Sequence, residues 1–135
     1  MTFAYSWRGT FDTEEVNALH ADAFEHRVCA SGEWDWWALV ESHSLGWVTA
    51  RRSGDLVGFV NVPWDGFVHA WIQDLMVLST QRSQGMGKEL VSTATAHARR
   101  AGCEWLHVDF DDDLASFYVD ACGFKSSNAG LISLV

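Results

Sequence analysis

Two glycines between a strand pattern and a helix pattern carry the clearest chemistry in this sequence. Gly85 and Gly87 fall in the loop Gln81–Lys88, which follows an apolar run and precedes a helical repeat. Glycine lets the backbone turn sharply and come close to a ligand, and the first turn of a helix points unpaired amide hydrogens outward with a partial positive charge. Such a loop can bind phosphate oxygens. The same spacing also fits a helix start that only requires two small residues.

The loop differs from the two most familiar phosphate-binding motifs. A Walker loop needs a glycine where this chain has Arg82 and a hydroxyl where it has Glu89. The third glycine of a dinucleotide-binding fingerprint is replaced by Leu90. A phosphate ligand at this loop would therefore be held by a motif of another kind.

Histidine and acidic side chains further along are candidates for moving protons. His69, His107 and Asp109 could form a relay, because positions 107 and 109 of one strand project to the same side. Such groups also commonly make satisfied internal hydrogen bonds, so both interpretations stay open. We find no setting for a serine or cysteine nucleophile, because the chain has no GxSxG motif and Cys103 and Cys122 lie in apolar contexts.

A run of aspartates raises the alternative of a metal site. Asp109, Asp111 and Asp113, with Asp120 further on, echo the spacing of a calcium loop. Leu114 stands where that loop requires glycine. We therefore expect no metal, and we interpret the run as a solvated turn whose aspartates cap a helix.

Two hydrophobic periods alternate along the chain and predict the elements that position these residues. A period of two indicates strands, and a longer period indicates helices. In the first half we predict a strand at Phe3–Trp7, a helix that Asp12 caps and that ends near Ala23, a helix at Trp34–His43, and strands at Trp47–Arg52, Leu56–Pro63 and Phe67–Leu78. In the second half we predict a helix at Met86–Ala101, a strand at Glu104–Phe110, a helix at Leu114–Cys122 and a closing strand at Ala129–Val135.

The connections between these elements predict the fold class. Ser53-Gly54-Asp55 is a hairpin turn signal, so the strands on either side of it are antiparallel, and a second turn extends them into a meander. Strand, helix and strand within about 40 residues imply a right-handed crossover and a parallel pair. We therefore predict an α/β fold, a single domain over residues 1–135, with a mixed, mainly antiparallel central sheet of about six or seven strands flanked by about four helices.

Charge and composition limit the partners. The 135 residues suit one domain, and the net charge of −9 repels a phosphate backbone, so we expect no nucleic acid partner. An acidic surface favours a cationic or amine-bearing substrate, although solubility alone explains it equally well. The sequence has neither a signal-peptide pattern nor a transmembrane stretch, and its three cysteines form no CxxC pair. We expect a cytoplasmic protein without a membrane partner.

Motifs in three places resemble the GNAT (Gcn-related N-acetyltransferase) family. The first resembles the family's [QR]xxGx[GA] loop, the second its fifth strand, and the third the helix that ends in a GF pair. In chain order they are Arg82-x-x-Gly85-x-Gly87, Trp105–Asp109, and Ala115–Tyr118 leading to Cys122-Gly123-Phe124. The resemblance covers Leu45–Phe124, and it implies the GNAT fold with acetyl-coenzyme A as the co-substrate.

The resemblance also implies where coenzyme A binds. In the family the backbone of the fourth strand holds the pantetheine arm, and that position corresponds to Met76 and Val77. The thioester enters where the fourth and fifth strands splay apart, and the glycine loop surrounds the pyrophosphate. The corresponding loop residues are Arg82, Ser83, Gln84, Gly85, Met86, Gly87 and Lys88.

The resemblance suggests candidates for the catalytic base and for the oxyanion donor. Asp74 lies in the predicted fourth strand, where many family members carry an acidic base. The backbone amide near Met76 is the expected donor to the oxyanion. The relay of His107 and Asp109 on the adjacent strand is the alternative base.

Tyr118 is the candidate acid for the departing thiolate. Family members usually carry a tyrosine four residues before the glycine of the GF pair. Here Tyr118 lies five residues before Gly123, and Val119 occupies the usual place. Either the helix carries an extra residue or Tyr118 points elsewhere.

The resemblance implies an N-acetyltransferase that moves an acetyl group from acetyl-coenzyme A to an amine of a small molecule or peptide by direct attack. The alternative is a non-catalytic acyl-coenzyme A-binding or sensor domain, which would keep the loop and lack a working acid and base. The sequence determines neither the acceptor nor the oligomeric state, for which a homodimer is one option.

Overall fold

The computed structural model describes residues 2–135 and contains six strands, three α-helices and one π-helical segment. Short 3-10 turns lie at Ser79–Gln81 and Asp112–Leu114. The strands are β1 (Ala4–Trp7), β2 (Ser44–Arg52), β3 (Asp55–Pro63), β4 (His69–Trp71), β5 (Gln73–Val77) and β6 (Trp105–His107). The helices are α1 (Thr13–Phe24), α2 (Trp36–His43) and α3 (Met86–Arg100), and the π-helical segment is Ser116–Ala121.

Four antiparallel strands form the main sheet, in the order β1, β2, β3, β5. The β2–β3 hairpin turns at Ser53 and Gly54, whose φ angles of 51° and 87° are both positive. A two-residue hairpin turn whose twist matches that of its strands has two positive φ angles in succession. Glycine is favoured at the second of these positions. The predicted hairpin is confirmed.

The predicted strand Phe67–Leu78 is wrong as a single strand, because it is broken at Ile72. The first part, β4, pairs in parallel with β6, and the second part, β5, pairs with β3. The amide of Ile72 donates to the carbonyl of His107 over 2.8 Å. This bond ends the pairing with β6, and the next residues pair with β3 instead. Strand β6 is also shorter than predicted, because its pairing ends at His107.

A core lies on each face of the main sheet. Successive residues of a strand point to opposite faces. On one face Val48 and Val60 pack with the buried side of α3, and on the other Trp47 and Phe59 pack with α1 and α2. The sheet is therefore enclosed by helices on both sides, as the predicted α/β class requires.

The helix starts follow local sequence signals. At the start of α1 the amide of Asp12 donates to the carboxylate of Glu15 over 3.0 Å, and the Asp12 side chain accepts from the backbone of Glu15, which together form a capping box. Helix α2 begins at Trp36 rather than Trp34, because the carboxylate of Asp35 accepts from the Ala38 amide over 3.1 Å and caps it there. Helix α3 ends before Gly102, whose φ is 92°.

The predicted closing strand Ala129–Val135 is wrong. This segment pairs with no strand in residues 2–135, and Leu131, Ile132 and Leu134 are exposed by 82%, 86% and 93%. Its β-branched and apolar composition favours a strand, but a strand forms only where an edge supplies its hydrogen bonds. None of the helices in the described part of the chain is long and apolar enough to cross a membrane.

Candidate active site

A cleft opens where β5 and β6 diverge. Strand β5 is paired with β3 along one edge, while its other edge has no partner strand among residues 2–135. The cavity between the diverging strands has a volume of about 380 Å³. Its lining consists of Phe24, Ile72, Gln73, Asp74, Leu75, Val108, Asp109, Phe110, Asp111, Leu114, Tyr118 and Leu131. This is the place where the sequence predicts that the thioester enters.

A β-bulge turns Asp74 into the cleft. Gln73 lies opposite Asn61, and Met76 lies opposite Phe59, so β5 spans three steps where β3 spans two. The extra residue bends the strand, and Asp74 takes a φ of 56°. A positive φ at a non-glycine residue is strained and marks a position that the surroundings hold in place.

The environment of Asp74 suits a base. Burial raises the pKa of the Asp74 carboxyl, and a hydrogen bond from the side chain of Asn61 partly opposes this rise. A carboxylate with a raised pKa accepts a proton more readily than an exposed carboxylate does. It is still ionised once the pH exceeds that raised pKa. The half-buried carboxyl therefore has the location and the direction of pKa shift that a base for an ammonium group requires.

The hydrogen-bond pattern between β3 and β5 shows which backbone groups of β5 point away from β3. The amide of Leu78 donates to Val57 over 2.8 Å, so the pair of Met76 and Phe59, two residues on, is also a hydrogen-bonded pair. The amide of Met76 is therefore directed to β3, and its side chain is only 1% exposed. The amide and carbonyl of Val77 are directed to the open edge instead. Leu75 precedes Met76 within the bulge and lines the cleft.

A π-helical turn settles the position of Tyr118. The amide of Cys122 donates to the carbonyl of Phe117 over 2.9 Å, five residues earlier, so this turn holds one residue more than an α-helical turn. The first alternative from the sequence is the correct one, since the segment carries the extra residue and Tyr118 lines the cleft. Tyr118 is 7% exposed and its ring stacks on Phe110 with centroids 5.0 Å apart.

Burial raises the pKa of the Tyr118 phenol, and the charges of Cys122 and Asp109 add to the rise. The phenol is therefore protonated at neutral pH and can donate its proton. The nearby thiol of Cys122 also has its pKa raised by burial, which makes it a poor nucleophile.

The glycine loop follows β5 and ends at the start of α3. Gly85 caps the helix with a φ of 79°, a conformation that favours glycine. The amides of Met86, Gly87 and Lys88 have no partner within the helix, because the first intrahelical bond runs from Glu89 to Gly85 over 3.1 Å. These outward amides form the anion-binding geometry that the sequence predicts.

The side chains of the loop divide into core and surface. Met86 is 1% exposed and packs in the core, so only its backbone can contact a ligand. A Cβ atom on Gly87 would lie 3.1 Å from the ring of Phe117, which requires a small residue there. Arg82, Ser83, Gln84 and Lys88 are exposed.

Hydrogen bonds hold this loop against α1. The carboxylate of Asp22 accepts from the amide and hydroxyl of Ser79 over 2.7 and 2.8 Å, and these bonds lower the pKa of Asp22. Arg82 donates to the carbonyl of Ala23 over 3.0 Å, and Arg52 donates to the side chain of Gln81 over 3.0 Å. The bonds to Asp22 and Ala23 attach the loop region to α1. The guanidinium groups of Arg82 and Arg52 lie at this loop.

The comparison with protein families identifies the chain. A model described as "Acetyltransferase (GNAT) family" matches residues 7–124. The chain belongs to the GNAT acetyltransferase family. The predicted acyltransferase activity class and the predicted fold are thereby confirmed.

Several known proteins are similar to this GNAT protein. The aminoalkylphosphonate N-acetyltransferase of Salmonella typhimurium is 28% identical over 128 residues, which cover 88% of this chain and 82% of the relative. An acetyltransferase structure from Trypanosoma brucei aligns with a TM-score of 0.82 at 17% identity over 99% of this chain and 100% of the other. The AAC(6')-Iy structure in complex with a bisubstrate analogue, CoA-S-monomethyl-acetylneamine, aligns with a TM-score of 0.77 at 15% identity, covering 98% and 97%. The structural matches show that the fold is shared.

The proposed relay of His107 and Asp109 is not assembled in this GNAT domain. The Nε2 atom of His107 lies 2.8 Å from the Nδ1 atom of His69, and the ring of His107 stacks on Trp71 at 5.0 Å. No hydrogen bond within residues 2–135 joins His107 to Asp109, which lines the cleft instead. The two histidines contact each other at the surface, so this pair is exposed rather than the internal bond of the alternative interpretation.

The aspartate run places Asp109 and Asp111 on the cleft wall, while the 3-10 turn Asp112–Leu114 follows. Within residues 2–135, no group of three or more His, Cys, Asp or Glu side chains is arranged to hold a metal ion. The run contributes negative charge to the cleft of the GNAT domain.

Sequence reasoning missed Asn61, Phe24 and Leu131. Asn61 is the one polar residue in the stretch from Leu56 to Val62 of β3, and this was a signal of a specific role. Phe24 and Leu131 reach the cleft from the end of α1 and from the C-terminal segment. Neither could be placed from local patterns, because each depends on how distant segments pack.

Proposed function

We propose that this GNAT protein transfers the acetyl group of acetyl-coenzyme A to a primary amine of a small cationic molecule. The observation that carries the proposal is the cleft between β5 and β6, which holds the half-buried Asp74 beside an open strand edge that leads into the anion-binding loop. The open edge can pair with the donor, the loop can bind the phosphates of the donor, and the carboxylate can bind the amine of the acceptor.

The donor binds along β5. The amide and carbonyl of Val77 pair with the pantetheine arm as an added strand would. The pyrophosphate lies at the amides of Met86, Gly87 and Lys88, with the guanidinium of Arg82 beside it. This arrangement places the thioester at the N-terminal half of β5, inside the cleft.

The reaction then needs a base, an oxyanion donor and an acid. Asp74 accepts a proton from the ammonium group of the acceptor, which frees the nitrogen lone pair. The nitrogen attacks the thioester carbon, and a backbone amide at the open edge, at Leu75, donates to the oxyanion. As the carbon–sulfur bond breaks, the phenol of Tyr118 gives its proton to the thiolate, and the positively charged nitrogen loses its second proton to the resulting phenolate through solvent. The products are an N-acetyl amide and free coenzyme A.

The charge of the cleft defines the acceptor. Asp74, Asp109 and Asp111 line it, and its lining includes no Lys, Arg or His side chain in the described part of the chain. Several carboxylates around one cavity attract an amine that carries a further positive charge and repel a phosphonate. The aminoalkylphosphonate that the Salmonella typhimurium relative acetylates is therefore a poor substrate here.

Release of free thiol from acetyl-coenzyme A tests the proposal with three acceptors of similar length. These are an α,ω-diamine, the monoamine that lacks its second amino group, and the aminoalkylphosphonate. We expect the diamine to give the highest kcat/KM and the phosphonate the lowest. Binding of acetyl-coenzyme A without thiol release with any amine would instead support the non-catalytic sensor domain.

Cellular location and assembly are further parts of the proposal. Cys29, Cys103 and Cys122 are all unpaired thiols, which is typical of a reducing compartment, and we expect the protein to act in the cytoplasm. A homodimer stays a prediction, which sedimentation in the presence and absence of coenzyme A would test.

A further inference from the structure

One buried polar side chain beside the cleft has no part in the mechanism described above. Asn61 is 2% exposed and lies in β3, directly across from the β5 bulge that carries Asp74. Burying an amide is costly unless its polar atoms find partners. An apolar residue would satisfy the packing of this strand, so the asparagine requires a reason.

Its two partners define its orientation. The hydroxyl of Ser44 donates to Oδ1 of Asn61. The strand register places Asn61 opposite Gln73, the neighbour of Asp74, and the amide of Asn61 lowers the pKa of the Asp74 carboxyl. An ionised carboxylate only accepts hydrogen bonds, so the Asn61 group that faces it must be the NH₂ donor. The Ser44 hydroxyl then donates to the remaining oxygen and prevents the amide from rotating by half a turn. A bond from the amide NH₂ to Asp74 would join the three side chains in one chain of hydrogen bonds with a single direction.

The geometry of β5 explains why Asp74 needs this support. The residue has a φ of 56° at a bulge, where the strand ladder is interrupted between Gln73 and Met76. Its backbone therefore lacks the regular pairing that fixes other strand residues. A carboxylate that must meet a bound ammonium within hydrogen-bond distance requires a fixed position.

We propose that Asn61 is a positioning residue for catalysis, which holds the Asp74 carboxylate toward the acceptor and is itself oriented by Ser44. This inference rests on the proposed role of Asp74 as the base. The other ionisable groups that face this carboxyl across the cleft are Asp109, Asp111 and Tyr118, and none of them is cationic. Asn61 thus lies on the sheet side of Asp74 and is the hydrogen-bond donor that favours the charged form of this carboxyl.

Removal of the amide has a specific consequence for the pH profile. Burial raises the pKa of Asp74 and the Asn61 hydrogen bond lowers it, so the variant Asn61→Leu loses the lowering contribution. The pKa of the carboxyl then rises further, and the acidic limb of the kcat/KM profile moves to higher pH. We also expect kcat/KM near neutral pH to fall by about tenfold, as for loss of a hydrogen bond to a charged group.

Asn17 provides a matched control. It is 3% exposed, donates to the Trp34 carbonyl over 3.1 Å and accepts from the Trp36 indole over 2.8 Å, so it is an equally buried and bonded asparagine. It lies in α1 and does not line the cleft. Asn17→Leu should lower the melting temperature as Asn61→Leu does, but leave the midpoint of the acidic limb unchanged.

Ser44 keeps the proposal testable if Asn61→Leu fails to fold. Ser44→Ala leaves the amide in place and removes only its orienting donor, and Ser44→Thr retains the hydroxyl. We expect Ser44→Ala to move the acidic limb to higher pH by a smaller amount, and Ser44→Thr to restore the parental midpoint.

The kcat/KM profile with the diamine acceptor is measured for the parent, Asp74→Asn and these variants. If Asp74→Asn removes the acidic limb while neither Asn61→Leu nor Ser44→Ala moves it relative to Asn17→Leu, the positioning role is overturned and the base remains. If Asp74→Asn keeps the limb, the base assignment itself fails. A shift to higher pH in the Asn61 and Ser44 variants, absent from Asn17→Leu, supports the chain of hydrogen bonds.

Discussion

The loop at the C-terminal end of β5 offers a ligand backbone amides, whereas the cleft along its N-terminal half offers side chains. The loop depends on a few consecutive residues around Gly85, and its neighbouring charges are the cations Arg82 and Lys88. The cleft depends on residues from α1, β5, the segment after β6 and the C-terminal segment, and its charges are carboxylates. Strand β5 therefore connects a loop with free backbone amides to a cavity lined by carboxylate side chains.

This difference predicts how each region fails. Changing a cleft side chain should alter turnover and leave donor binding intact, because the proposed donor site consists mainly of backbone groups elsewhere. Changing the backbone conformation of the loop should remove donor binding, whatever happens in the cleft.

The largest effect is expected for Asp74→Asn. The amide cannot take a proton from the ammonium group, so turnover should fall by about 10²-fold or more while the affinity for acetyl-coenzyme A changes little. Burial raises the pKa of Asp74, so the parental rate should rise with pH as this carboxyl loses its proton, and the variant should lack that acidic limb. Thiol release measured across the pH range, with calorimetry for the donor, checks both statements. Near-parental turnover with the same limb would reassign the base.

The second effect concerns the loop. Gly85→Glu adds a side chain at a φ of 79° and a negative charge where phosphate would bind, so acetyl-coenzyme A should no longer raise the melting temperature. Gly102→Glu is the matched control. Gly102 has a φ of 92° at the other end of α3, and a Cβ atom there, as at Gly85, meets no atom within 4 Å.

Both variants therefore carry similar backbone strain and the same added charge, but only one changes the loop. We expect the ligand-induced rise in melting temperature to persist in Gly102→Glu. A rise in Gly85→Glu equal to that of the parent would remove the loop from the donor site and break the comparison.

The sequence predicted the conformation of the loop, a glycine turn before α3, because the signal is local, whereas phosphate binding there stays a prediction. Glycine spacing and the start of a helical period are sufficient to define an anion site, and no distant residue is needed. The helix α3 and the hairpin at Gly54 were predicted for the same reason. The family pattern predicted that Asp74 lies in this region, and it lines the cleft, while its role as the base stays a prediction.

The cleft was predicted only in part because it depends on long-range pairing. The break at Ile72 arises where one strand changes partner from β6 to β3, and no local pattern marks such a change. The closing strand failed for the opposite reason, since its composition favours a strand but no edge pairs with it in the described residues. The π-helical turn at Tyr118 was anticipated as one alternative from a one-residue offset, but only the hydrogen bond to Phe117 decides it.

Tyr118→Phe should have a smaller effect than loss of the base. The variant keeps the ring that stacks on Phe110, and it removes only the proton that would pass to the thiolate. Coenzyme A thiol is a fair leaving group without assistance, so turnover should fall by about tenfold with donor affinity unchanged. Because burial raises the pKa of Tyr118, the parental rate should fall only at high pH, and this basic limb should be lost in the variant. Unchanged turnover would give the proton to water.

The smallest effect is expected for Arg82→Ala, and it decides whether the loop binds phosphate only through its backbone. Arg82 is exposed, so its bond to a phosphate would be screened by water, and we expect the affinity for coenzyme A to fall by roughly three- to tenfold. A pantetheine analogue without phosphates should bind parent and variant equally. Arg99→Ala, which removes an exposed arginine from the last turn of α3, controls for the change in net charge.

Arg82 also has a second role that the same titration separates. Its guanidinium donates to the Ala23 carbonyl and so ties the loop to α1. If that bond is its main contribution, the variant loosens the loop and weakens both ligands to the same extent. A selective loss of coenzyme A affinity would instead place the phosphates beside Arg82, and the loop would then combine backbone amides with one side chain.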